Sequence, residues 1–404
     1  MQKDYLVIQL ARMGDLLQSK RLVLSLEQSG RVWLVVDDSV CELAKLIYPR
    51  ARVIPIPAHA KGDKPLEILS PTQKAVAELS DVDFDLVFNL NFSGINFALS
   101  RLFPPEIMRG YYTRSGQQLK SKWTRMTFNL TRSRAAAGIN LVDLWALHAP
   151  DPISPEQVNP PAVPRGRELA VIVSGRSQRR SIPASILCGY VRALSERYSA
   201  ASIVFLGGRQ DKDKAREIAA SLPRKHADIT TDLTGATGWP QLLNRLEQAA
   251  AVLTPDTGPM HLAAHLGVPV WAFFFSSAWC FETGPYGLGH RILQTTPACA
   301  PCLEDRKCRF NLACHGLLAE PKVLRFLLGK SNELPGDILC LQSNLDGLGT
   351  YYSPLSGTDP RQEARRQLRS CLLSYHRPEE EPPGPLETQT AGRVFSEREW
   401  MLRD

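Results

Sequence analysis

A carboxylate, a glycine and a proline meet at one turn in TPDTGPMHLAAHLGVPVW, residues 254–271. An apolar run ends there and a helical pattern begins. Asp256 takes the place of a helix N-cap, Gly258 lets other backbone come close, and Pro259 suits the first helical turn. The N–H groups of Thr257, Gly258, Met260 and His261 would then project from a helix N-terminus, a natural seat for phosphate. An ordinary capped helix is the competing reading. His261 and His265 stand four apart, but no Glu follows the first, so the zinc-protease pattern is absent and a packed histidine is the better reading.

Three further loops carry groups of the same kind. In ARMGD, Asp15 follows the first apolar run, where a carboxylate can take a proton from a substrate hydroxyl or simply cap a helix. In SGRSQRRSIP, residues 174–183, Ser174 and Gly175 lead into Arg176, Arg179 and Arg180, which could neutralise a diphosphate or stay solvated. In LGGRQDKD, Gly207 and Gly208 precede Asp211, an acceptor for ribose hydroxyls. A nicotinamide dehydrogenase would want G-x-G-x-x-G near Asp15 with an acid about 20 residues on; Asp37 is suitably placed, but the glycines are missing.

These loops need a frame. YLVIQL, the loop, LLQSKRLVLSLEQS, Gly30 as a helix stop and RVWLVVDD read as a β-α-β unit, which implies a parallel sheet. FDLVFNLN reads as another buried strand and NLVDLWALHA as a helix. Residues 150–166 hold six prolines without apolar period, a linker signature. The pattern then restarts with ELAVIVSG, PASILCGYVRALSERY, SIVFLGG, DKDKAREIAASL and AAAVLTP. The expected organisation is an N-terminal Rossmann-like domain over 1–150, a linker over 151–166 and a C-terminal Rossmann-like domain over 167–330, the two facing a cleft. Beyond lies an extension over 331–404: a hairpin at NLDGLGTYY, a helix at EARRQLRSCLLSYH and a disordered tail.

Composition bounds the partners. With 44% hydrophobic and 22% charged residues, the 404-residue chain reads as a globular protein of two domains. No apolar run reaches the roughly 20 residues needed to cross a bilayer, and MQKDYLVIQL lacks a signal peptide's order, so a cytoplasmic protein is expected. The net charge of +7 is modest, yet residues 107–142 hold seven Lys and Arg and no acid. Among them Arg109, Arg114, Lys120 and Lys122 suit an anionic partner, against a solvated helix. Tyr111, Tyr112 and Trp123 lie among the cations, but no nucleic-acid fold signature accompanies them, so no nucleic-acid partner is expected. Cys299, Cys302, Cys308 and Cys314 follow C-x2-C-x5-C-x5-C. They could hold a structural zinc or iron, form disulfides or stay as free thiols.

Together, VIQLARMGDLLQS, SQRRSIP, FLGGRQDKD, the run from DLTGATGWP to GVPVWAFF, and TGPYG resemble the lipopolysaccharide heptosyltransferases of glycosyltransferase family 9, over roughly residues 4–330. The resemblance implies an α/β GT-B arrangement of two Rossmann-like domains and an inverting reaction with no metal or other cofactor required for catalysis. It implies transfer of heptose from ADP-heptose to a lipid A–inner core acceptor, an anionic glycolipid, by a cytoplasmic protein peripherally associated with the inner membrane. Asp15 matches the general base, and Arg180 the cation that stabilises the leaving diphosphate, where the family often has Lys. Asp256, Thr257 and Gly258 match the donor turn and Asp211 the ribose acid. FFFSSAWCF departs from the family's frequent Gly after the next strand. A GT-B enzyme with another donor or acceptor is the alternative, and a non-catalytic metal or redox-responsive binding protein built on the cysteines is a third.

Overall fold

The computed structural model describes residues 2–59, 65–131, 134–275, 277–304 and 306–376. The tail from 377 onward, expected to be disordered, lies outside them. The chain divides into two units: one built on 2–136, 141–154 and 367–376, the other on 137–140 and 155–366.

The first unit carries strands β1 (Lys3–Gln9), β2 (Gly30–Asp37), β3 (Arg52–Ile56), β4 (Leu86–Asn89), β5 (Met108–Arg114) and β6 (Gln117–Lys120). They lie side by side in the order β3-β2-β1-β4-β5-β6. All neighbours are parallel except the final pair. β1 is buried on both faces from Asp4 to Gln9, as strands covered by helices on either side must be. Leu6, Ile8, Trp33, Val35, Ile54 and Val87 form the centre of one core layer.

Two local expectations change. The first helix is two, Met13–Gln18 and Lys20–Glu27, because Ser19 turns its hydroxyl back onto the Leu16 carbonyl at 2.7 Å and interrupts the run. Gly30 starts β2 rather than stopping a helix. A Cβ there would lie 2.4 Å from the Lys3 carbonyl oxygen, so glycine is what lets β2 pair with β1.

The second unit carries β7 (Glu168–Ile172), β8 (Ser202–Leu206), β9 (Thr230–Asp232), β10 (Ala249–Pro255), β11 (Val270–Phe274), β12 (Arg291–Thr295), β13 (Ile338–Leu345) and β14 (Thr350–Ser356). Their order is β14-β13-β12-β11-β10-β7-β8-β9. β9 through β12 are parallel, and β13 and β14 run antiparallel at the edge. The β13–β14 segment, placed by sequence in a separate extension, therefore completes this sheet. β10 is buried throughout and packs with Leu169, Val171, Tyr190, Phe205 and Phe273. The α/β class with two largely parallel sheets is the one expected from sequence.

Candidate functional site

In the second sheet β7 lies between β8 and β10, so successive connections leave it in opposite directions. Such a reversal opens a crevice beyond the carboxyl ends of the two central strands, where ligands of this architecture bind. The loop leaving β7 is tight. The Gly175 N–H donates to Ser181 Oγ at 3.0 Å, and the Ser181 hydroxyl donates to the Ser177 carbonyl at 2.8 Å. A Cβ on Gly175 would fall 2.7 Å from the Arg180 carbonyl oxygen, so only glycine lets the loop close and bring Arg180 forward.

Arg180 meets the turn after β10. Its Nη1 donates to Asp256 Oδ2 at 2.9 Å, and its Nη2 donates to the Glu304 carboxylate. Nη1 and Nη2 each keep a further N–H, and the side chain is partly exposed, so the guanidinium retains donors for a ligand. The Asp256 side chain is 6% exposed and that of Arg180 24%, so the pair is sheltered on the carboxylate side and open on the guanidinium side. Glu304 has no signal in the sequence; it sits between cysteines, and only folding brings it to Arg180.

The turn itself differs from its sequence reading. Thr257, extended at φ −162°, is the N-cap of the helix Gly258–His265. Asp256 instead aims at Arg180. The Met260 N–H is already taken by the Thr257 carbonyl at 3.1 Å, and its side chain is in the core, so Met260 has nothing to offer a ligand. His261 is buried; desolvation, and then the charge of Arg180, push its pKa down to about 4, so it is neutral at neutral pH.

After β8, Gly207 faces Asp211 so closely that a Cβ would lie 2.7 Å from Oδ2. Asp211 is buried and accepts from the Gly208 N–H at 2.8 Å, a fixed acceptor at the crevice edge. Ser174 accepts from Lys214 Nζ at 3.4 Å, a cation that motif reading passed over.

Arg179 is not turned to a ligand. Its Nη1 donates to the carbonyls of Glu304 at 2.9 Å and Arg306 at 2.6 Å, and its Nη2 to Cys302 Sγ at 3.0 Å. It clamps the cysteine-rich segment that carries Glu304. Cys299, Cys302, Cys308 and Cys314 line one cavity of about 1120 Å³ and are not joined in disulfides. Among the described residues no three His, Cys, Asp or Glu side chains gather as a metal would require, and Cys314 packs into the apolar core.

In the first unit, Asp15 lies in the first turn of the helix Met13–Gln18, half-buried, its Oδ2 accepting from the Arg12 N–H at 3.3 Å. The basic stretch does not form one cationic face. Lys120 is buried at the end of β6, and Arg109 turns back onto the carbonyls of Glu106 and Met108. Arg114 ends β5 exposed, and Lys122 opens the helix Lys122–Thr131 with Nζ 6.0 Å from the Tyr375 ring centroid. Tyr111 and Trp123 are core residues and cannot stack on a ligand.

The model of glycosyltransferase family 9, the heptosyltransferases, matches residues 190–313, which hold Asp211, the Asp256 turn and Glu304. Over that stretch the chain is similar to the family 9 glycosyltransferases. Solved structures of similar fold include the Escherichia coli ADP-heptose lipopolysaccharide heptosyltransferase II, 17% identical, covering 79% of this chain and 98% of that one with a TM-score of 0.52. A family 9 glycosyltransferase from Veillonella parvula is 16% identical over 81% and 98% of the two chains, also at 0.52. The E. coli heptosyltransferase WaaC with ADP is 16% identical over 70% and 91%, again at 0.52. No curated protein matches by sequence. At these identities the family 9 structures establish the fold, two largely parallel α/β sheets.

Proposed function

We propose that the chain is an inverting glycosyltransferase that moves heptose from ADP-heptose to a lipid A–inner core acceptor. The observation that carries the reading is the Arg180–Asp256 pair at the β7–β10 crevice, 2.9 Å long and open on its cationic side. In the reaction the acceptor oxygen bonds to the anomeric carbon as the carbon–oxygen bond to the diphosphate breaks, and the leaving group keeps the electron pair. Asp15 takes the acceptor proton. Arg180, through the exposed part of its guanidinium, and the N–H groups of Thr257 and Gly258 meet the negative charge that grows on the diphosphate. Asp256 holds the guanidinium in place, and Asp211 receives ribose hydroxyls.

This reading assigns no catalytic metal; cationic side chains and backbone donors carry the phosphate charge. A zinc or iron bound by the four thiols is a separate, structural proposal that requires them to draw closer together than they stand here, and metal analysis of the purified protein tests it. Among the described residues no helix is long and apolar enough to cross a membrane. Work at the inner membrane would then rest on peripheral contact by the exposed cations, such as Arg114.

Calorimetric binding of ADP-heptose beside ADP-glucose, UDP-glucose and GDP-mannose tests the donor. Preference for ADP-heptose supports the reading. Preference for another nucleotide sugar keeps the site and changes the donor, and binding of none removes the enzyme reading.

A further inference from the structure

The cations around the β7–β10 crevice are not equivalent. Arg180 has its charge balanced by Asp256 and Glu304. Arg179 is turned to carbonyls and a thiol. Arg176 and Arg209 are exposed. Lys214 is different: it is half-buried, its ammonium donates to the Ser174 hydroxyl at 3.4 Å, and among the described residues no carboxylate lies within ion-pairing distance. The nearby Asp211 has its Oδ2 engaged by the Gly208 N–H.

The position of Lys214 is unfavourable in a second way. It is the third residue of the helix Lys212–Ser221, in the first turn, where the positive end of the peptide dipoles repels a cation. Two costs, partial loss of hydration and this repulsion, therefore fall on one side chain. Burial lowers its pKa, with Asp211 and Glu217 pulling the other way, which agrees with a cation short of compensation. Its neighbours are the loop after β7, which borders the crevice, through Ser174, and the loop after β8, on the other side of β7, through Asp211.

We propose that Lys214 binds the diphosphate of the nucleotide-sugar donor, supplying a positive charge that is not already held in an ion pair as that of Arg180 is. This rests on the reading of the crevice as a donor site. A diphosphate group is the ligand chemistry that relieves both costs at once, because its charge replaces lost water and complements the helix N-terminus.

Binding of ADP, AMP and adenosine by the full chain and by Lys214→Met and Lys214→Arg variants tests it. The methionine variant is expected to weaken ADP binding about 10- to 100-fold, the range of a charge-assisted hydrogen bond, to weaken AMP less and to leave adenosine unchanged. The arginine variant should restore most of the loss. ADP affinity of the unaltered chain should fall as pH rises toward the lysine's lowered pKa, and this fall should vanish in the arginine variant. The melting temperature of the methionine variant should not drop, since the substitution removes an uncompensated charge. Equal ADP binding by the unaltered and methionine proteins overturns the proposal, as does an equal loss for adenosine. If the unaltered chain binds UDP or GDP but not ADP, the donor assignment falls while the same variants test Lys214 with that nucleotide. If it binds no nucleoside diphosphate, both fall.

Discussion

The two sheets reach the same strand reversal and finish it differently. In the first unit β1 lies between β2 and β4, and the gap beyond them is bridged by a neutral contact: the Leu10 N–H donates to Asn91 Oδ1 at 2.8 Å. In the second unit the equivalent gap between β7 and β10 is spanned by Arg180 and Asp256. The first crevice presents Asp15 beside a neutral lining, and the second presents cations and backbone donors. On the proposed reading, one topology offers a site for proton removal and a site for anion binding, depending on which side chains close the reversal.

A second contrast separates structural from functional charge. Arg21 and Asp143 pair at 2.6 Å with side chains 2% and 0% exposed, and Arg21 Nε also donates to the Ile153 carbonyl at 3.0 Å. No ligand can enter there. Arg180 and Asp256 form a similar pair but leave the guanidinium within reach of solvent. The two pairs differ in the exposure of the cation, and the proposed site uses the exposed one.

Four changes bear on these contrasts. Asp15→Asn keeps the hydrogen bond from the Arg12 N–H but removes the negative charge, so transfer should fall about 10²- to 10⁴-fold with donor affinity unchanged. Full turnover in a coupled ADP-release assay would show that Asp15 is only a cap. Asp143→Ala strands Arg21 in the first unit and should cost about 3–5 kcal/mol of stability in denaturant unfolding; a loss under 1 kcal/mol would mean that the pair is not what holds these helices. Arg180→Ala should lower kcat about 10²- to 10³-fold with only a small change in melting temperature, and Arg180→Lys should recover part of it. A large drop in melting temperature with normal turnover would put Arg180 in the same class as Arg21.

The smallest effect is on pH. Burial pushes His148 and His376 in the first unit, and His261 and His290 in the second, down to about 4. Their folded pKa values lie below the unfolded value near 6.5. Above about pH 6.5 both states are neutral and this stability is complete; between about 6.5 and 4 only the unfolded chain takes up protons, so stability falls. Melting temperature should therefore decline through that window, less steeply in His261→Gln. A flat profile down to pH 4 would mean that the imidazoles are hydrated in solution.

The strands and the loops after them were legible because both sheets are buried on two faces, which writes continuous apolar runs into β1, β2, β7, β8 and β10. Gly175, Gly207, Arg180 and Asp256 sit where those runs break. Less legible was anything that depends on a partner distant in sequence. Arg179 looked like a donor ligand beside Arg180, yet its contacts lie more than a hundred residues away on the cysteine-rich segment. Lys120 and Tyr111 looked like a basic aromatic surface, but they lie opposite each other across β5 and β6 and both are buried.

By itself the sequence determined the two α/β sheets, the loops that carry polar chemistry and the candidate residues within them, because hydrophobic period and turn chemistry are local properties of the chain. Tertiary structure decided which of those residues face one another. It put Glu304 and Asp256 on either side of Arg180, left Lys214 without an ion pair among the described residues and sent Met260 into the core. The physical reason is that charge compensation and burial depend on neighbours, and in a parallel sheet neighbours come from strands separated by whole helices.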